Sequence, residues 1–115
     1  MTNTVRFPLY YNTCKDLMHS CRDPSVGKPI GNNTRLYHDD DHYYVELHGN
    51  RIMEIHPRCW VLYDGGWQSV TTKMRLNRYT PYSIVVRQIQ GGWYIRRHDN
   101  KDKEFFSGMT IPCCP

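Results

Sequence analysis

The chain has no apolar run approaching the roughly 20 residues that a membrane-spanning helix requires, which excludes a helical anchor. Its first residues, Met1-Thr2-Asn3-Thr4-Val5-Arg6, carry no apolar stretch behind their charge, so no secretory signal is expected and a cytosolic setting is. Aliphatic side chains are few. Acidic residues become scarce after position 64: residues 1–64 hold seven Lys/Arg against eight Asp/Glu, residues 65–115 eight against three. The net charge of +4 therefore sits in the C-terminal half, where it suits nucleic acid, an acidic protein surface or an anionic head group.

Catalytic signatures are missing as well. There is no Gly-x-Ser-x-Gly elbow, no phosphate-cradling Gly-rich loop, no His-Glu-x-x-His helix and no twelve-residue calcium loop. The carboxylates are scattered. Glu46 and Glu54 fall on neighbouring predicted strands, beside His48 and His56, and read as surface pairs. The sequence therefore predicts a protein that is not an enzyme and needs no cofactor. A small metal-dependent enzyme stays open as an alternative.

Aromatics are plentiful: nine Tyr, three Trp and three Phe. Together with 115 residues, they suit one small β-rich domain whose core side chains are apolar at one end and polar at the other. Gly-Gly-Trp occurs twice, at Gly65-Gly66-Trp67 and Gly91-Gly92-Trp93. Each copy reads as a hairpin turn with an aromatic anchor. The similarity does not extend around them, so no internal duplication follows.

Residues 1–33 read as an arm or loop and 34–115 as the compact domain. In the arm, Val5–Tyr11 resembles an edge strand limited by Pro8. Asn12–Met18 fits one helical turn capped by Thr13, with Asp16 at the capping-box position, and residues 23–33 are turn chemistry. Strands follow at 34–38, 42–48, 51–56 and 59–63. Alternation places Tyr43, Val45 and Leu47 on one face and His42, Tyr44, Glu46 and His48 on the other. Gly49-Asn50 is the predicted loop between the second and third of these strands. A short helix spans Val70–Tyr79 behind a Ser69 cap, leaning on the sheet through Val70 and Met74, with Leu76 a further candidate. Pro81 ends it. Ser83–Gln90 and Trp93–His98 form a closing hairpin, residues 99–103 a charged loop, Phe105-Phe106 a last strand and 107–112 a tail. The fold class is α+β: an antiparallel meander, one short helix and a closing hairpin.

The five cysteines, Cys14, Cys21, Cys59, Cys113 and Cys114, are odd in number and lack a secretory signal, which argues against a disulfide framework. Cys59, inside a strand, is expected to be a buried thiol. Cys14, His19, Cys21, Cys113 and Cys114 would staple arm to tail around zinc if the chain ends met, but their spacing does not match a zinc knuckle. His38-Asp39-Asp40-Asp41-His42 is dense in ligand types, yet alternate side chains at a hairpin tip diverge, so it reads as a solvated turn. No metal site is assigned.

The remaining candidate surface is basic and aromatic: Lys73, Arg75 and Arg78 on the helix, Arg87 on the next strand, and Trp93 and Arg97 on the closing hairpin, with Tyr79, Tyr82, Tyr94 and Arg96 interleaved. Arg beside aromatics serves stacked bases and phosphates, and equally protein hot spots. Arg96 and Arg97 are adjacent on a strand, so only one can belong to a given patch.

Three stretches carry a resemblance: Asn33–Tyr37, Tyr44–Ile52 and Gly65–Asn77, the last containing Gly-Gly-Trp followed by Thr-Thr-Lys-x-Arg-x-Asn. Gly92-Trp93-Tyr94 and Phe106–Met109 add to it. Over roughly residues 31–110 the chain resembles a family of small uncharacterised proteins of tailed bacteriophages and prophages. It departs from them in its Cys- and Pro-containing N-terminal arm and its Cys-Cys-Pro end. The resemblance brings no catalytic residues. It implies a viral accessory protein in a bacterial host. The aromatic–Arg surface makes binding to a host or viral protein the first expectation, with a nucleic-acid-binding module using the basic half as the alternative.

Overall fold

The computed structural model describes residues 4–97 and 100–113. Among these residues two helices and nine strands make an α+β domain. Helix α1 spans Tyr11–His19, followed by a single 3₁₀ turn at Pro24–Val26. Strands β1 (Lys28–Gly31), β2 (Thr34–His38), β3 (Tyr43–Leu47), β4 (Asn50–Ile55) and β5 (Cys59–Leu62) run as an antiparallel meander. Helix α2 (Val70–Tyr79) leads to β6 (Val85–Ile89), β7 (Gly92–Arg96) and β8 (Asp102–Glu104), which form a separate three-stranded sheet. Strand β9 (Met109–Pro112) returns to pair with β5, giving the large sheet the order β1-β2-β3-β4-β5-β9. The stretches read as a charged loop and a tail thus become β8 and β9, while Phe105-Phe106 is not a strand: Phe105 enters the core and Phe106 stays exposed.

Residues before 34 belong to the same core as the rest. Leu9, Cys14 and Ile30 are fully buried. The Trp60 indole N–H donates to the Leu9 carbonyl at 2.7 Å, the Leu9 N–H to that of Tyr79 at 2.9 Å, and the Val5 N–H to that of Ile30 at 2.8 Å. Val5–Tyr11 forms no strand. Instead, the chain enters α1 directly at Tyr11, with Tyr10 at the cap and no side-chain cap bond, so the Thr13 cap is not used. Part of the predicted turn region is β1, whose Ile30 supplies the apolar contact.

Two of the hairpin loops place two successive residues at positive φ: His48 and Gly49 (φ 53° and 79°), and Gln90 and Gly91 (φ 50° and 84°). This is the type I′ geometry that matches strand twist. The β3–β4 loop is therefore His48-Gly49, one residue earlier than Gly49-Asn50, and Asn50 opens β4 opposite Leu47.

Helix α2 has the predicted bounds and the predicted Ser69 cap, whose hydroxyl accepts from the Thr72 N–H at 3.1 Å. Its orientation differs from expectation. Thr72, Arg75, Leu76 and Tyr79 are its buried residues, while Val70 and Met74 are 62% and 54% exposed. Leu76 and Tyr79 outweigh the thinner Val70–Met74 stripe because an aromatic and a leucine bury more apolar area. Two polar side chains then tie the helix to both sheets. Arg75 donates to Thr34 Oγ1 at 3.1 Å and to the Asn32 carbonyl at 3.3 Å. Asn77 donates to the Val86 carbonyl at 2.9 Å and accepts the Val86 N–H at 2.7 Å.

Candidate functional site

The six residues expected to form a contact surface do not gather on one exposed face. Trp93 is 3% exposed and packs edge-on against Phe105, with ring centroids 5.3 Å apart. Arg75 is buried and committed to the start of β2. Arg87 faces Asp102 at 3.7 Å, and Arg96 holds the same carboxylate through two nitrogens at 3.3 and 3.2 Å. Arg97 is half-buried, and its Nε is enclosed with no hydrogen-bond partner among the described residues. Lys73 and Arg78 remain half-exposed on α2. Of the interleaved aromatics, Tyr79 is buried and Tyr82 fully exposed.

Beside Thr71, the most exposed side chains of α2 are apolar. Trp67 is 76% exposed ahead of the helix, and Val70 and Met74, one turn apart, lie on its outer side. The turn bearing Trp67 is fixed in place. Asp64 Oδ1 accepts the Gly66 N–H at 3.0 Å, and Ser107 Oγ accepts the Asp64 N–H at 3.1 Å. Gly65 sits at φ 72°, and a Cβ there would lie 3.3 Å from Ile52 Cγ2, so only glycine lets this turn lie flat on β4. A shallow groove between turn and sheet is lined by Leu47, Asn50, Ile52, Asp64, Trp67 and Thr72.

A second constellation lies on the outer face of the β3–β4–β5 ladder. Val45 pairs with Met53 but Glu46 with Arg51, so Ile52 is an extra residue, a β-bulge. The bulge turns both Ile52 and Met53 inward. It also brings Arg51 and Glu54, three apart and on opposite faces of a regular strand, to the same face. Their adjacency in the sequence, two apolar residues breaking an alternating pattern, is the signal that would have located it. Arg51 Nη1 donates to Glu54 Oε2 at 2.8 Å while its guanidinium stacks 3.9 Å above the Tyr44 ring. The Tyr63 hydroxyl donates to the same oxygen at 2.8 Å, and His56 Nε2 to Oε1 at 2.9 Å. Burial alone would raise the Glu54 pKa, but the bonds from His56, Arg51 and Tyr63 outweigh it and bring the carboxyl down to about 2.

His42 joins this group from the hairpin tip, stacked on His56 with centroids 4.6 Å apart and planes 16° apart. Its Nδ1 lies 3.0 Å from Asp41 Oδ1, while its Nε2 is enclosed with no hydrogen bond among the described residues; Asp39 Oδ2 stands 3.7 Å away. The His38–His42 run is thus not wholly a solvated turn. The nearness of Glu54 and His56 was legible as a surface pair, but the entry of His42 was not.

The cysteines separate. Cys14, not Cys59, is the fully buried thiol, and burial pushes it up to about 12. Cys59 and Cys21 are half-exposed and His19 exposed. No metal-competent group among the described residues includes Cys14, His19, Cys21 or Cys113; Cys114 lies outside the described residues.

A family model described as Kyanoviridae Gp96 protein matches residues 27–112. The chain belongs to that phage protein family. No curated protein and no solved structure matches it. No helix among the described residues is long and apolar enough to cross a membrane.

Proposed function

We propose that this phage protein acts inside a bacterial host as a binding protein, not an enzyme, and that its contact surface is the outer side of α2 with the Trp67 turn. One observation carries the reading: three large apolar side chains, Trp67, Val70 and Met74, stand out from an ordered turn and helix. Exposed apolar clusters of this kind mark interaction sites, and Trp is the residue most enriched in hot spots. Because hydrogen bonds and packing already hold the turn, little ordering entropy is spent on association. Lys73 and Arg78 flank the stripe and favour a partner with acidic groups at the rim. The partner class is a host or viral protein, and occlusion of a host process such as defence is the mode this surface suits.

The test is capture of partners from host lysate on tagged protein, with nuclease present, comparing wild type with Trp67→Ala/Met74→Ala. A stoichiometric protein retained by wild type and lost by the double variant supports the reading. A partner retained equally by both overturns the assignment of this surface. Nuclease-sensitive capture that weakens steeply with salt and on Lys73→Ala/Arg78→Ala would instead establish the nucleic-acid module.

A further inference from the structure

The geometry points to a binding site for a divalent transition cation of the zinc class, formed by His42, Glu54 and His56 on the outer face of the β3–β4 hairpin. Each residue offers one ligand atom, and the three atoms lie within 4.8 Å of one another. Two imidazoles and a carboxylate form a nitrogen–oxygen set that suits zinc and its neighbours better than calcium or magnesium. The register builds it. Tyr43 pairs with Ile55, so His42 and His56 stand across from each other one step beyond the ladder, and Glu54 follows two residues before His56 on the same face.

The outer partners that orient metal ligands are already in place. Asp41 accepts from Nδ1 of His42, which leaves Nε2 as its lone-pair nitrogen, and that atom is the enclosed one without a hydrogen bond. Arg51 and Tyr63 hold Oε2 of Glu54, turning Oε1 toward the histidines. A carboxylate behind a ligating histidine, and hydrogen bonds behind a ligating carboxylate, are what fix first ligands in metal sites. Oε1 and Nε2 of His56, 2.9 Å apart, need to open only to about 3.3 Å to share a tetrahedral ion with bonds near 2.0 Å. The cation replaces the hydrogen bond between them: the proton on Nε2 leaves to solvent while Nδ1 gains one, so the imidazole binds in its other neutral tautomer. One ring must also turn out of the near-parallel stack so that both lone pairs converge. Asp39 Oδ2, 3.7 Å from His42 Nε2, offers a further oxygen beside the site.

The experiment is a titration of untagged, chelator-stripped full-length protein with Zn²⁺ against a chromogenic chelator, and with Co²⁺ followed by absorption. The expected result is one equivalent bound, no thiolate-to-cobalt charge-transfer band, and affinity lowered at least about tenfold by His42→Gln and by His56→Gln, on the scale that loss of even an outer partner produces. Asp41→Asn should have a smaller effect. Imidazole nitrogen NMR of the unsubstituted protein provides a readout independent of variant folding: the His42 and His56 signals should shift together at one equivalent. Absence of binding, a thiolate band placing the ion on cysteine, or NMR shifts confined to other histidines would overturn the site.

Discussion

Trp67 and Trp93 follow the same dipeptide, yet one is 76% exposed and the other 3%. What differs is the chain that follows each. After Gly91-Gly92 the backbone stays extended as β7, and the second side chain of that strand must point into the core. After Gly65-Gly66 the chain turns into the Ser69 cap and a helix, whose inward positions are Thr72, Arg75, Leu76 and Tyr79, leaving Trp67 ahead of it and outside. Identical local chemistry therefore carries a structural residue in one place and a displayed one in the other.

The largest effect expected from this contrast is at Trp93. Trp93→Ala removes the edge-on partner of Phe105 and empties a core position, and should cost about 3–5 kcal/mol. Denaturant unfolding of the variant measures it. A cost near zero would erase the distinction between the two tryptophans.

Asn77 comes next. It belongs to the same stretch that bears Trp67, but its work is internal: its amide satisfies both backbone groups of Val86, tying α2 to β6. Asn77→Ala leaves that N–H and C=O without their partner and should cost about 2–3 kcal/mol. Arg75 has the same internal role toward β2. The motif Thr-Thr-Lys-x-Arg-x-Asn thus reads more as joinery between two sheets than as a contact surface, while Trp67, Val70 and Met74 around it carry the display.

How much of this the sequence contained can be judged element by element. Period-two alternation located β2 to β5 and the inner face of β3, and Ser69 with Pro81 bracketed α2 to the residue. Side-chain class could not decide which stripe of α2 faces inward, because Val70 and Met74 look as apolar as Leu76. That choice depends on where Tyr79 meets Ile30 and Leu9, contacts made across long sequence separation. The N-terminal arm was misread for the same reason. Its α1 contains the helical turn read over Asn12–Met18, but it lacks a side-chain cap and an acidic first turn, so its full length and the docking of Leu9 and Cys14 were not legible. Of the contact set, Lys73 and Arg78 were placed on an accessible helix, whereas Arg75 and Trp93 are interior.

The cysteines repeat the contrast between like residues. Cys14 is enclosed while Cys59, in a strand, is half-exposed. The folded thiol of Cys14 titrates near 12 against a usual value of 9.0. A raised folded pKa means stability that is fully present below about pH 9 and lost as pH rises toward 12, because the unfolded chain gives up its proton first. The slope reaches at most about 1.4 kcal/mol per pH unit. Stability of Cys14→Ala relative to wild type between pH 8 and pH 11 isolates this contribution from tyrosine titration, and the variant's disadvantage should narrow as pH rises. Thiol labelling of the native protein should modify Cys59 well before Cys14.

The smallest stability effect is expected at the other tryptophan. Trp67→Ala removes a side chain that is mostly in water, from a turn held by Asp64, Gly65 and Ser107, so unfolding free energy should stay within about 0.5 kcal/mol of wild type. A residue that contributes so little to the fold, yet is large and apolar on an ordered turn, is what the proposed binding surface requires. If Trp67→Ala instead destabilised the protein by several kcal/mol, the exposed turn would be part of the folding core and the binding surface would have to be sought elsewhere.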